Sequence, residues 1–318
     1  MPNNASPSYE QIFYLGGDNT SSRTGVSGIR SITAGYSVGQ KKVRALGAGF
    51  IREVIAEPLQ GELSMTRDLL YQDPVLGLTG ESSISGTLLY DVEMNGAEKV
   101  YGFNTGYLTS YSINCDVQDV PTIETTFAVF GQLGSGERER ELDYSGIAPL
   151  QNLGFVNHEA VFLTFNGSGT NRAVSVSQTY DINRVPIYTL DQKTDESYYA
   201  PSEVITEYPI EITTNLTIEM DDYQTANMID NIRSGNYQTL GVEIRLGAKE
   251  DTLDGHAVVG DTLCLQDNNG ECLGDDGDGI TRYEFLSTTG HLVSESIESS
   301  VDGVLSVNLE FKDYYNKD

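Results

Sequence analysis

Short stretches in which polar and apolar residues alternate recur along almost the whole chain. Thr, Val, Ile and Tyr occupy every second position of these stretches, and Gly, Asn, Asp and Pro bound them, a pattern that predicts half-buried antiparallel strands. The clearest examples are RSITAGYSV (30–38), GELSMTR (61–67), SGTLLYDVEM (85–94), YLTSYSINCDV (107–117), TIETTFAVF (122–130), AVFLTF (160–165), AVSVSQTYDI (173–182), IEITTNLTIEM (210–220), TLGVEIRL (239–246) and VLSVNLEF (304–311).

Two segments have a helical pattern instead. In DDYQTANMIDNIRSG (221–235) the leading aspartates can cap a helix, apolar residues recur on one side, and the final glycine can end it. DLLYQDPVLGL (68–78) is a shorter counterpart that a proline interrupts. The sequence therefore predicts a mainly β protein with one helix in each half.

The two halves of the chain share matching segments in the same order. GYLTSYSINCDV (106–117) recurs as GHLVSESIESSV (290–301), an offset of 184 that also aligns Phe127 with Phe311. Upstream, Ile32-x-x-x-Tyr36-Ser37-Val38 matches Val176-x-x-x-Tyr180-Asp181-Ile182 at an offset of 144, and Pro58 and Pro209 each introduce the next predicted strand. A colinear series of this kind predicts two copies of one β module.

The matches set the predicted domain boundaries. The first module covers residues 1–130, a linker rich in Gly, Ser and charges covers 131–153, and the second module covers 154–318. The changing offset places insertions in the second half, mainly at 191–203 and in an acidic loop at about 247–282.

The composition restricts the partners that the surface can bind. The chain has 318 residues, a formal charge of −28 and a pI near 4.2, so it repels phosphate and disfavours tight binding to nucleic acid or to an anionic membrane. A composition poor in Lys and rich in Asp and Glu is also typical of proteins from high-salt cytoplasms. No apolar run approaches the roughly 20 residues of a membrane helix, and the N-terminus lacks the features of a signal peptide.

Residue patterns of known catalytic sites are not found in the sequence. His158, His256 and His291 do not accompany a recognisable nucleophile, and the Gly-rich stretches lack the Lys-Ser/Thr of a phosphate-binding loop. We therefore expect that the chain is not an enzyme and has no cofactor.

One acidic segment, GDDGDGITRYE (274–284), resembles loops that bind Ca²⁺. It fails the EF-hand spacing, so two interpretations remain open: a partial site built on Asp275, Asp276 and Asp278, or a solvated hairpin tip. The cysteines are also ambiguous, because Cys264 and Cys272 flank a turn sequence and could face each other, whereas Cys115 is left without a counterpart.

The order of segments in the first half resembles that of the major tail tube proteins of tailed viruses. An N-terminal arm precedes GIRSITAGYSV (28–38), Glu57-Pro58 opens a strand that leads to Thr66-Arg67-Asp68, and a short helical region precedes YLTSYSINCDVQDVPTIETTFAVFG (107–131). The likeness covers most of 26–131 and, through the repeat, much of 172–312. The second half departs from it, since it lacks the Val-Pro turn and carries the acidic insertion.

Tail tube proteins fold as small β-sandwiches with a flanking helix, and six copies join their strands into one barrel around a lumen. The resemblance therefore implies two tandem tail-tube-like β-sandwich modules, a homotrimer that forms a pseudo-hexameric ring, and rings that stack into a tube for ejection of the viral genome. The implied partners are further copies of the chain, the tape measure protein, tail-end or neck proteins, and double-stranded DNA that passes without tight binding. The implied location is the virion tail, after synthesis in the host cytoplasm, with no membrane partner.

Two alternatives remain open. A distal tail or baseplate ring protein of the same virion shares the fold, and the acidic insertion would suit docking outside the tube. A calcium-dependent β-domain adhesin would account for the Asp-rich loop and the tandem modules, but the missing signal peptide argues against it.

Overall fold

The computed structural model describes residues 12–17, 24–44, 50–69, 75, 83–91, 99–131, 133–135, 161–165, 168–170, 173–189, 201–219, 240–245, 282–287, 291–299 and 305–316. These residues form strands and turns, and none of them is helical. The predicted mainly β class is therefore confirmed for this part of the chain. The predicted helix at 221–235, and most of the one at 68–78, lie outside the described residues.

Sixteen strands are present in the described ranges. They are β1 (Ile12–Gly17), β2 (Thr24–Val26), β3 (Ile29–Val43), β4 (Glu53–Asp68), β5 (Ile84–Asp91), β6 (Lys99–Asp116), β7 (Thr122–Val129), β8 (Leu133–Ser135), β9 (Val161–Phe165), β10 (Ser168–Thr170), β11 (Ala173–Ile187), β12 (Glu203–Glu219), β13 (Leu240–Arg245), β14 (Arg282–Ser287), β15 (His291–Glu298) and β16 (Ser306–Tyr315).

Twelve of the strands form one antiparallel sheet that contains strands from both halves of the chain. Its path runs β15-β16-β12-β11-β6-β5-β1-β2, and β7 and β8 pair with the other edge of β6. β4 pairs with β7, and β3 pairs with β4. The remaining strands form a sheet of four with the order β10-β9-β13-β14. Among the residues that the structure describes, the path of the large sheet does not close on itself.

The strand pairings follow the same order in the two halves. The series β3-β4-β7-β6 in the first half has the counterpart β11-β12-β16-β15 in the second, and β2-β1-β5-β6 has the counterpart β10-β9-β13-β14. The sequence matches fall on corresponding strands, since 106–117 covers the end of β6 and 290–301 covers β15.

The long strand β6 bends near Thr105, whose φ of 54° lies in the left-handed region. A Cβ atom on the next residue, Gly106, would lie 2.2 Å from the ring of Phe103, so glycine is required at this close approach. Residues before the bend pair with β5 and β8, Gly106 pairs with both β5 and β7, and the residues that follow pair with β7 and β11. In the second half, two separate strands, β14 and β15, take the places of these two parts of β6.

One hydrophobic cluster contains buried side chains from both halves. It includes Phe103 and Phe127, whose ring centroids lie 6.2 Å apart, together with Val176, Leu216 and Val307. Alternation places these side chains on the same side of neighbouring strands. The apolar side of β6 is therefore continuous with that of β11.

The prediction that Pro58 and Pro209 introduce strands was wrong. Strand β4 begins at Glu53 and β12 at Glu203, so both prolines lie inside strands. The pairing register shifts beside each proline, between Val38 and Gln40 in β3 and between Asp181 and Asn183 in β11. Proline has no N–H group for the ladder, which is why it is tolerated at such irregularities.

The antiparallel pairs β3–β4 and β11–β12 each continue beyond the sheet as a two-stranded arm. β4 first pairs with β7 at Gly61, and β12 first pairs with β16 at Ile210. We call the outer part of β3–β4 (residues 40–44 and 50–56) the first arm and that of β11–β12 (183–189 and 201–207) the second arm. Predicted strands at 30–38 and 173–182 were too short because they stopped where the arms begin.

The predicted acidic loop at about 247–282 lies outside the described residues except for its last residue. β14 begins at Arg282, so the final three residues of the segment 274–284 belong to a strand and not to a loop. The three-residue strands β2, β8 and β10 were not predicted, because three residues are too few to show alternation.

Candidate functional site

Eight adjacent strands of the large sheet, β3-β4-β7-β6-β11-β12-β16-β15, present one apolar face and one polar face. The pairing registers show which side chains share a face, because directly opposed residues project to the same side. On β6 and β11, Ser112 faces Thr179 and Asn114 faces Ser177 on the polar face. On the next pair, Thr213 faces Lys312 and Asn215 faces Glu310.

Cross-strand hydrogen bonds link the polar face from one half of the chain to the other. Ser64 and Thr126 share a hydroxyl hydrogen bond of 3.2 Å, and Ser112 and Thr179 share one of 2.9 Å across the junction between β6 and β11. Farther along, the Thr217 hydroxyl donates to Asn308 Oδ1 at 2.7 Å. The polar face is therefore a single surface that crosses the junction without a break.

The polar face is also acidic. Within the described strands two cations reach it, and each contacts a carboxylate: Lys312 donates to Glu211, and Arg30 Nε lies 2.5 Å from Asp68 Oδ1. The hydrogen bond to Glu211 raises the pKa of Lys312, which keeps its amine charged. The acidic residues of the face outnumber these cations; they are Glu62, Asp68, Asp116, Glu124, Asp181, Glu211, Glu219, Glu298 and Glu310.

On the apolar face of the β6–β11 junction lie a buried pair of aromatic side chains and a network of buried polar side chains. Tyr111 lies opposite Tyr180, and both side chains are buried. The Tyr180 hydroxyl donates to Gln178 Oε1, and Gln178 Nε2 donates to the Thr214 hydroxyl, each at 3.1 Å. Burial, together with the nearby Asp313 carboxylate, raises the pKa of Tyr180, so its hydroxyl stays protonated as a donor.

Arg184 holds one end of the same junction. Its Nε donates to the carbonyl oxygen of Leu108 at 3.1 Å, beyond the last backbone pair of the β6–β11 ladder, and its Nη1 donates to the Thr206 hydroxyl. The guanidinium carbon lies 5.7 Å from the centroid of the Tyr107 ring, in the geometry of a cation–π contact. Tyr107 belongs to a second small hydrophobic cluster with Phe130 and Val204.

The two outer edges of the eight-strand stretch are open. Among the residues that the structure describes, β3 pairs with β4 alone and β15 pairs with β16 alone. Large apolar side chains are exposed on both outer strands: Tyr36 is 60% exposed and Ile297 is 55% exposed. Exposed edges that carry apolar side chains are templates for pairing with another strand.

Both arms also expose apolar side chains. Phe50, at the tip of the first arm, is 67% exposed, and Val54 and Ile55 follow it. The second arm exposes Val185, Ile205 and neighbouring residues.

The candidate metal ligands Asp275, Asp276 and Asp278 lie outside the described residues, as do Cys264 and Cys272. Within the described ranges, no group of three or more His, Cys, Asp or Glu side chains is placed to hold a metal ion. Cys115 is a free thiol on β6 that faces Val176 across the junction, and burial raises its pKa to about 12. No described helix has the length and apolar character needed to span a membrane.

Comparison with known proteins gave no match, either to a protein-family model or to a curated protein. The geometry of the two faces and of the two open edges therefore remains as the basis for a functional proposal.

Proposed function

We propose that this chain is a structural virion protein, a tail tube subunit that contains two copies of one β module and forms rings of three chains. The single observation that carries the proposal is the eight-strand stretch, in which equivalent strands of the two halves follow each other in one sheet and share one acidic polar face. In the proposed ring, this polar face lines the lumen. The chain has no catalytic role in this proposal.

The repeated strand order supports the duplication. Independent evolution of the two halves would not require the same pairings, nor an irregular register beside a proline in both long hairpins. Two modules per chain then require three chains for a ring of six modules.

The dimensions fit a tube for DNA. Eight strands from each of three chains give a barrel of about 24 strands, which is about 48 Å across at the backbone for a strand spacing of about 4.8 Å and a tilt of about 40°. Side chains on the inside reduce the lumen to roughly 35–40 Å, which admits a double helix.

The chemistry of the polar face fits passage without adhesion. DNA is held to proteins largely by cations that neutralise its phosphates. A face covered with carboxylates, hydroxyls and amides, whose cations already contact carboxylates, repels phosphate and keeps the lumen hydrated.

Electron microscopy of the concentrated purified protein tests the assembly. We expect stacked rings with a central hole, and end-on averages with three chains per ring. Single rings that never stack would favour the baseplate alternative, and six chains per ring or a permanent monomer would refute the proposal.

A charge-reversal variant tests which face lines the lumen. In Glu124→Lys/Asp181→Lys/Glu310→Lys, assembled tubes should retain double-stranded DNA at low salt and release it as salt rises, whereas unmodified tubes should not retain it. The matched control, Glu53→Lys/Glu203→Lys/Glu207→Lys, changes the net charge equally but places the lysines on the arms. Equal DNA retention by both variants would contradict the assignment of the polar face to the lumen.

A further inference from the structure

The two open edges of the sheet are equivalent to the two strand edges that meet inside the chain at the β6–β11 junction. β11 uses one edge for β12 and the other for β6, and β6 uses one edge for β7 and the other for β11. The equivalent strands are β3, which pairs with β4, and β15, which pairs with β16. The free edge of β3 is thus the one with which β11 binds β6, and the free edge of β15 is the one with which β6 binds β11.

The geometry points to a joint between chains, and we propose that β15 of one chain pairs antiparallel with β3 of a second copy in the register of the β6–β11 junction. The offsets of the sequence repeat, 144 for β3 and 184 for β15, convert each internal pair into a predicted external one. Tyr36 of the second copy then lies opposite Glu295, Gly35 opposite Ser296, and Ala34 opposite Ile297. The inference rests on the proposed function, because that function identifies the partner as another copy of this chain.

Exposure at equivalent positions supports this joint. Tyr180 is 5% exposed in the internal junction, whereas its equivalent Tyr36 is 60% exposed. Ile113 is 3% exposed, whereas its equivalent Ile297 is 55% exposed. The side chains that the internal junction covers are therefore uncovered at the two open edges, and pairing of those edges would bury them.

The face assignments agree with the proposed register. Ser294 and Ser296 lie opposite Glu310 and Asn308, so they belong to the polar face, as do Thr33 and Gly35 on β3. Pairing of Gly35 with Ser296 therefore joins polar face to polar face. A shift of one residue would place apolar side chains of one chain on the polar face of the next.

The two kinds of joint differ in one respect that affects assembly. Glu295 stands where the internal junction has Tyr111, so the joint between chains places a carboxylate opposite Tyr36 instead of a second tyrosine. A more polar joint suits chains that are soluble before they associate. The strands of the apolar internal junction belong to one chain and never need to separate.

Disulfide trapping tests the register. In a chain with Cys264→Ser and Cys272→Ser, the pair Gly35→Cys/Ser296→Cys should form disulfides between chains in assembled particles and yield covalent trimers on a denaturing gel. A Cβ at Gly35 has nothing within 4 Å, so cysteine fits there. Opposed residues of antiparallel strands lie within the span of a disulfide.

Two matched controls accompany this variant. Ser112→Cys/Thr179→Cys places cysteines at the equivalent internal pair and should form a disulfide within each chain. Ser37→Cys/Ser296→Cys keeps the same face but shifts the register by two residues, and it should crosslink at least about tenfold more slowly, because the Cα atoms are then too far apart. Equal crosslinking by the shifted pair would refute the proposed register. A disulfide that forms only in the internal control, with none between chains, would also refute it.

A variant designed to assemble more readily gives a second test of the joint between chains. Glu295→Tyr restores at the joint the residue of the internal junction, and it should lower the protein concentration needed for assembly by about tenfold. An unchanged or higher concentration would contradict the joint.

The outcomes separate this inference from the proposed function. Rings without the predicted crosslink would refute the register and leave the tube proposal standing. Crosslinked chains that form open filaments would support the joint and refute the ring. A chain that stays monomeric at every concentration, while the internal control closes, would refute both.

Discussion

Removal of the Arg184 guanidinium should loosen the β6–β11 junction. The change Arg184→Met keeps an unbranched apolar side chain in the buried space but removes the donors to the Leu108 carbonyl and the Thr206 hydroxyl. It also removes the contact between the guanidinium and the ring of Tyr107. The named contacts that are lost tie β11 to β6 and to its own hairpin.

The magnitude follows from the contacts that are lost. A hydrogen bond from a charged donor is worth about 1.5–3 kcal/mol, and a desolvated cation–π contact about 2 kcal/mol. These contributions overlap, because water can enter and satisfy part of the Leu108 carbonyl after the change. We expect a loss of about 3 kcal/mol in the free energy of opening the junction, which corresponds to roughly a hundredfold rise in the open fraction.

Native-state hydrogen exchange measures this opening strand by strand. The amides of β6 and β11 that bond across the junction should exchange roughly a hundredfold faster in Arg184→Met, whereas those between β4 and β7 should change little. The control is Asn183→Ala, at the neighbouring exposed position, where the side chain contacts Glu207. This control should stay within about 0.5 kcal/mol of the unmodified protein.

Two results would refute this account of Arg184. Exchange across the junction that rises less than about threefold would show that the backbone ladder and the tyrosine pair hold β6 and β11 without it. An equal rise in all strands would show that Arg184 stabilises the whole sheet and not this junction.

Three substitutions and one thiol-labelling experiment test the packing. Thr125→Val should stabilise the protein by about 1 kcal/mol in urea unfolding, because the buried Thr125 hydroxyl makes no hydrogen bond. Thr214→Val should destabilise the protein by a similar amount, because Gln178 then loses its hydrogen-bond acceptor. The opposite order of stabilities would contradict the hydrogen-bond assignment. Gly106→Ala should destabilise by about 1–3 kcal/mol because its Cβ would collide with a phenylalanine ring, and a neutral effect on thermal unfolding would show that the β6 bend tolerates a side chain. In a chain with Cys264→Ser and Cys272→Ser, the thiol of Cys115, with a pKa of about 12, should resist maleimide at pH 8 in the folded protein and react after unfolding. Rapid labelling of this folded variant would show that the β6–β11 junction opens readily.

The sequence was sufficient to predict the long strands of the sheet but not their limits. Alternation located the cores of β7, β11 and β12, because one side of each is buried, and the core of β3, whose inner side is half-buried. It failed in the first arm, where the two-stranded ribbon is exposed on both sides and residues such as Lys41 and Lys42 carry no apolar alternation. Pairing between β6 and β11 was also beyond reach, because it joins distant segments whose register depends on which side chains meet.

The polar face could have been found from the sequence, whereas the buried network could be found only in part. Ser110, Ser112 and Asn114 alternate with apolar residues, which predicts one polar side for β6. Arg184 looks like a surface residue by type, but it is in phase with Tyr180 and Ile182, and that phase was the available signal for its burial. The partners Leu108 and Thr206 become visible only when the strands are assembled.

In the proposed ring, the internal junction also changes how the assembly can evolve. In a ring of identical single modules, every joint is encoded by the same codons, so one substitution alters all the joints at once and must be tolerated in all of them. In this chain, different codons encode the residues of the β6–β11 junction and those of the open edges. One set of joints can become tighter while the other is adjusted for the timing of assembly, and the contrast between Tyr111 and Glu295 is the divergence that such independence permits.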